Sequence, residues 1–241
     1  MTWGNFTATH IISLIVAALI IICLYLLLRR LSQRAQIIVL GVLSFAGIAA
    51  IIYNLVAWNS PFEYLPFHLC SINALLLPIT VFTRNKTLGN LLLFWSLGAL
   101  LALVINNAMA EARILSLPFA FYYFPHVLEF GIPILLFKLN LIKKDYKCLI
   151  STLSITLGIF TAVHFINLGL NSYLSANHIT DYAGNLIQVN YMYTITPENP
   201  LLALFYSIIP HPYWYLLLAL PIIAVYLLIL YIPQIIKHKR T

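Results

Sequence analysis

Apolar residues in this chain fall in long blocks, and short polar or basic stretches separate them. Seven blocks, at 8–28, 36–57, 66–83, 88–109, 118–138, 148–171 and 212–233, come close to the roughly 20 residues that a helix needs to cross a bilayer core. The pattern predicts an all-α polytopic membrane protein with seven transmembrane helices, forming a single membrane domain over 1–241. The third block is short and contains Pro78; Pro133 and Pro221 are expected to bend the fifth and the seventh. The first block has no charged leader and no small-residue cleavage site before the basic cluster that follows it, so it reads as a retained helix. One connection is long. Residues 172–211 are rich in Tyr and Leu, and their LLALFYSII stretch suits an interfacial helix. Segments of this length are usually functional or disordered, and a lid is the expectation.

Composition agrees with the pattern. Hydrophobic residues make up 62% of the chain and charged residues 8%, against about 45–50% and about 25% in soluble domains. The formal charge of +7 raises nucleic acid as a partner, but the distribution of the charge removes it. With seven spans and the N-terminus outside, 12 of the 13 basic residues fall in cytoplasmic segments and only Arg113 lies outside. Basic residues accumulate on the cytoplasmic side of membrane proteins, so the predicted orientation is N-terminus outside and C-terminus cytoplasmic. The natural neighbour of the basic loops is anionic inner-leaflet lipid. Cys23, Cys70 and Cys148 sit in apolar contexts without a CxxC spacing, so no disulfide framework is expected.

Polar and ionisable groups within a bilayer are costly and usually functional. Here they gather toward one side. His68 and Cys70 stand near the outer end of the third block. His126 on the fifth and His164 on the sixth lie about 12 Å below the outer boundary, at about 1.5 Å of rise per residue. Glu129 follows His126 by one turn, Asn167 follows His164 at the same spacing, and Asn171 continues that row. Asn106 and Asn107 mark the outer end of the fourth block. The pattern suggests a polar chamber opening outward. His68 and Cys70 share a face only if Pro66 leaves the entry turn irregular. His10, His178 and His238 sit at ends or in loops and are expected to be solvated.

The thiol of Cys70 among imidazoles suits a nucleophile, because the thiolate is the reactive form. His126, His164 and His68 would carry protons, and Glu129 would fix a His tautomer. Asn106, Asn167 or Asn190 would bind substrate and hydrogen-bond an oxyanion. A cysteine at the depth of an ester carbonyl favours a membrane phospholipid as substrate and partner. Two other readings stay open: a non-enzymatic lipid or small-molecule binding or transport protein, and an intramembrane His/Glu metal-dependent enzyme. HExxH and HxH motifs are absent, no metal ligand set is assigned, and no cofactor is implied.

PFHLCSI at 66–72, FYYFPHVLEFGIPIL at 121–135, HFIN at 164–167, NYMY at 190–193 and HPYWYLLL at 211–218 together resemble the YwaF-type integral membrane proteins of bacteria. That family is similar to a eukaryotic cysteine-dependent acyltransferase that remodels ether phospholipids. The resemblance implies a lipid acyltransferase or transacylase in a bacterial plasma membrane, with Cys70 of FHLC as the acyl carrier.

Overall fold

The computed structural model describes residues 1–57, 61–105, 109–181 and 183–239, and the side chains of 233 and 235–239 lie outside the description. The helices are α1 (Ala8–Leu28), α2 (Gln33–Ser44), α3 (Ala46–Ala57), α4 (Leu69–Thr83), α5 (Lys86–Val104), α6 (Leu117–Lys138), α7 (Leu149–Ala176), α8 (Pro200–Ile208) and α9 (Leu220–Lys239). Short polar residues start most of them. Thr7, Ser32, Asn85, Ser116 and Asn199 each accept a backbone N–H of the first turn through the side chain, which satisfies donors that the helix leaves unpaired.

The fold is all-α, and among the described residues six helical stretches are long and apolar enough to cross a membrane: Ala8–Leu28, Gln33–Ala57, Lys86–Val104, Leu117–Lys138, Tyr146–Ala176 and Trp214–Ile232. This differs from the seven expected. The block at 66–83 yields only the 15 residues of α4. Pro66 disfavours helical geometry at Leu65, so the chain turns irregularly before Leu69, and at the other end Arg84 takes a positive φ of 53°. His68 therefore stands just before the helix that carries Cys70. α7 is longer than its block, continuing to Ala176. α8 forms where LLALFYSII is expected to be helical. At 214–219 the chain makes 3-10 turns, and α9 begins at Leu220, with Pro221 in its first turn where a missing N–H is harmless.

The chain forms two compact units, Met1–Ala57 with Leu69–Lys144, and Trp58–His68 with Asp145–Thr241. In the first, α6 packs against each of α1 to α5, and α4 packs against α2, α3, α5 and α6. Small residues allow these approaches: a methyl group on Gly41 would sit 2.4 Å from the Phe82 ring. The N-terminus belongs to this core. Trp3 is fully buried with Phe119, Tyr123 and Val127, and its Nε1 donates to Ser13 Oγ at 2.8 Å.

That fold-back changes the reading of His10, which is fully buried rather than solvated. Phe6 N–H donates to its Nδ1 at 2.9 Å, so Nε2 carries the proton and donates to Leu103 O at 2.8 Å. His178 is exposed, as expected. The side chain of His238 lies outside the described residues.

In the second unit α7 packs against the turn at 191–193, and α8 and α9 pack against the turns at 214–219.

Candidate functional site

The first unit brings Cys70 and Asn73 of α4 together with Glu129 of α6, and His126 stands one turn earlier on α6, bonded within its own helix. Successive turns set each pair on its own helix. Glu129 is 3% exposed and Asn73 is 1% exposed. Glu129 Oε2 and both amide atoms of Asn73 are buried without a hydrogen-bond partner, although buried polar groups are paired in the great majority of cases. The Glu129 carboxyl is close enough to act electrostatically on Cys70, a free and only partly buried thiol. Gly47 of α3 closes the cluster: a methyl group there would meet Ala74 Cβ at 2.5 Å and Glu129 Oε1 at 3.0 Å.

His126 is buried, and its Nδ1 lies 2.7 Å from Tyr122 O. A carbonyl only accepts, so the proton sits on Nδ1 and Nε2 is the basic nitrogen. The Tyr122 hydroxyl in turn donates to Ala102 O at 3.0 Å. An apolar groove of about 250 Å³ lies between α3 and α6, lined by Ala46, Ala49, Ala120, Phe121, Phe124 and Pro125.

The second unit gathers the other expected residues around 189–194. Asn167 exchanges two hydrogen bonds with Tyr191, Nδ2 to O at 2.8 Å and N–H to Oδ1 at 3.0 Å. Asn171 does the same with Val189, at 2.9 and 2.7 Å. One helical turn rises about 6 Å over four residues, and two extended residues advance about 6.6 Å. The two amides therefore match alternate residues of the segment and act as a two-rung ladder. Met192 and Tyr193 take positive φ values of 53° and 56°, a costly conformation for such side chains that needs this kind of restraint.

His164 Nδ1 lies 3.2 Å from Thr194 Oγ1, which also accepts from Asn167 Nδ2 at 2.8 Å. His68 Nδ1 accepts the Met192 N–H at 3.3 Å. Both amide hydrogens of Asn167 are thereby taken, and Asn190 Nδ2 donates to Thr196 O and to Glu198 Oε1 at 2.8 and 2.7 Å. Asn106 lies outside the described residues. Among the described residues no group of three His, Cys, Asp or Glu side chains is placed to hold a metal ion.

The TMEM164 family profile matches residues 5–231. The chain belongs to the TMEM164 family. It is a multi-pass membrane protein of that family over nearly its whole length, and TMEM164, not YwaF, is the name that the match carries. No curated protein and no solved structure matches this TMEM164 family member. Two elements of the site escaped sequence reasoning. Asn73 stood in the motif that drew attention to Cys70, but its place opposite Glu129 depends on how α6 packs against α4. Thr194 had no signal beyond its place next to NYMY.

Proposed function

We propose that this TMEM164 family protein is a membrane-lipid acyltransferase in which Cys70 carries the acyl group. The sulfur attacks the ester carbonyl of a phospholipid, the carbon–sulfur bond forms, and the ester carbon–oxygen bond breaks. The thiol proton passes to the departing lysolipid oxygen. An acceptor hydroxyl then attacks the thioester, the carbon–sulfur bond breaks, and the acceptor's proton returns to the sulfur.

The observation that carries this reading is the cluster of Cys70, Asn73 and Glu129, an amide and a carboxyl buried against each other without a hydrogen bond of good geometry beside a free thiol. In this scheme Glu129, which lies within electrostatic reach of Cys70, accepts the thiol proton, and His126 Nε2 is a second base on the same helix. The Asn73 amide faces the Glu129 carboxyl without a hydrogen bond of good geometry, and it supplies an N–H donor beside the thiol. It takes the oxyanion role better than Asn167 or Asn190, whose hydrogens are already bonded. Such a donor contributes about 2.7–4 kcal/mol to the transition state. The apolar groove on α3 and α6 suits a fatty chain.

The test is acyl labelling of the purified protein with an alkyne-tagged phospholipid. A hydroxylamine-sensitive label is expected on the wild type and none on Cys70→Ser, with Cys23 and Cys148 retained as internal controls. Full labelling of folded Cys70→Ser would remove the mechanism. Glu129→Gln is expected to slow labelling by about 10²–10⁴.

A further inference from the structure

The second unit contains a cavity of about 220 Å³ that the scheme above does not use. Glu63, Tyr64 and His68 form one wall, and Asn190, Tyr191 and Glu198 form another. The lining is polar, with two carboxylates and no lysine or arginine, in a chain whose formal charge is +7. Glu198 is oriented by an amide, since Asn190 Nδ2 donates to its Oε1 at 2.7 Å. Asn190 is itself fixed by the N–H groups of Ile195 and Thr196 on its Oδ1, at 3.0 and 3.3 Å. The carboxylate is thus held in place without being neutralised.

His68 offers the complementary group. The Met192 N–H donates to Nδ1, so the ring proton is on Nε2. The ring is half-buried, it lines the cavity, and Nε2 has no partner among the described residues. A donor placed this way calls for an acceptor atom on a ligand. Tyr64 and Tyr191 put aromatic surface beside the two carboxylates, and a tyrosine face attracts an ammonium within about 6 Å. The two carboxylates favour an organic cation over a metal, since no triad of ligating side chains is present among the described residues.

We propose that this cavity binds an ammonium group bearing an oxygen acceptor a few bonds away. The cation lies between Glu63 and Glu198 against the Tyr64 ring, and the oxygen takes the His68 Nε2–H. A lipid headgroup and a free amine both present this chemistry. The proposal does not rest on acyl transfer, because Cys70 is not among the lining residues.

Calorimetric titration of the full chain in a non-ionic detergent tests it, with glycerophosphoethanolamine as the probe and glycerophosphoglycerol as the anionic control. Saturable binding is expected for the first and none for the second. Glu63→Gln removes an exposed carboxylate and is expected to weaken binding at least about tenfold, as loss of a charged hydrogen-bond partner does, with an unchanged unfolding midpoint. Glu198→Gln keeps the shape that Asn190 grips and is expected to weaken binding similarly. Competition by nanodiscs of aminophospholipid, but not of phosphatidylglycerol, would support a lipid headgroup as the ligand. Saturable binding without such competition would support a soluble amine. No saturable binding of the probe, or equal binding by wild type and both glutamine variants, would overturn the proposal.

Discussion

At Gly47 one missing methyl group sets how closely three helices meet. Its ideal Cβ would lie 2.5 Å from Ala74 Cβ and 3.3 Å from the Ala74 Cα, and neither atom belongs to a flexible side chain. Gly47→Ala is therefore expected to lower stability by about 1–3 kcal/mol, measured as a lower unfolding midpoint in detergent. Gly158→Ala is the control: nothing lies within 4 Å of its Cβ, so the midpoint should hold or rise, since glycine is worse than alanine in a helix by about 1 kcal/mol. Asn73 invites the opposite experiment. Its amide faces Glu129 without a hydrogen bond of good geometry, so Asn73→Leu exchanges a weak polar contact for apolar packing and should change stability little. Acyl transfer should nevertheless fall by about 10²–10³, the effect of losing one oxyanion donor. A variant that keeps full activity would return Asn73 to the core. The residue types at this site were legible in the sequence, because polar groups in an apolar block stand out. Their partners were not. His10 looked like a terminal, solvated residue, and its burial depends on Trp3 folding back and on Leu103, 93 positions away.

The row of His164, Asn167 and Asn171 was visible as a helical face, and the sequence pointed to chemistry on it. The fold uses two of the three as a clamp on the segment after α7. That use follows from a match between one helical turn and two extended residues, which no local pattern in the helix displays. Asn167→Leu should leave the Tyr191 N–H buried and unpaired, while its C=O keeps only the long bond from the Thr194 N–H at 3.4 Å, at about 1–3 kcal/mol. Asn171 is only partly buried, so Asn171→Ala should cost less because water replaces the lost bonds. Hydrogen exchange separates these cases: the amides of Val189 and Tyr191, which donate to the two clamp side chains, should lose protection in the matching variant while the α7 backbone keeps its own. Loss of protection throughout α7 would mean that the row supports the helix and not the segment. Element boundaries followed the apolar blocks well where caps mark them, as at Ser116, and failed at 66–83, where Pro66 keeps the first residues out of the helix.

At the scale of the molecule the open question is whether α4 crosses the membrane. Its 15 residues rise about 22 Å, against a bilayer core of about 30 Å. Length alone argues against a full span, but charge argues for one. If α4 turns back, each later segment changes sides. Arg84 and Lys86, and then Lys138, Lys143, Lys144 and Lys147, would fall on the face opposite the cluster at Arg29, Arg30 and Arg34. If α4 crosses, all of these share one face, in keeping with the basic bias of cytoplasmic loops. Local bilayer thinning, at fractions of a kcal/mol per Å of mismatch, is a smaller cost than inverting that many charges. The expectation is therefore an even number of crossings between the Arg29 and Lys143 segments, with the C-terminus on their side. Single cysteines in a background with Cys23, Cys70 and Cys148 replaced test this with an impermeant thiol reagent on intact cells. Ser32→Cys and Asn140→Cys should both stay unlabelled until the membrane is opened, while Gly184→Cys, in the segment between α7 and α8, should label from outside. Labelling of Asn140→Cys alone from outside would show that α4 does not cross.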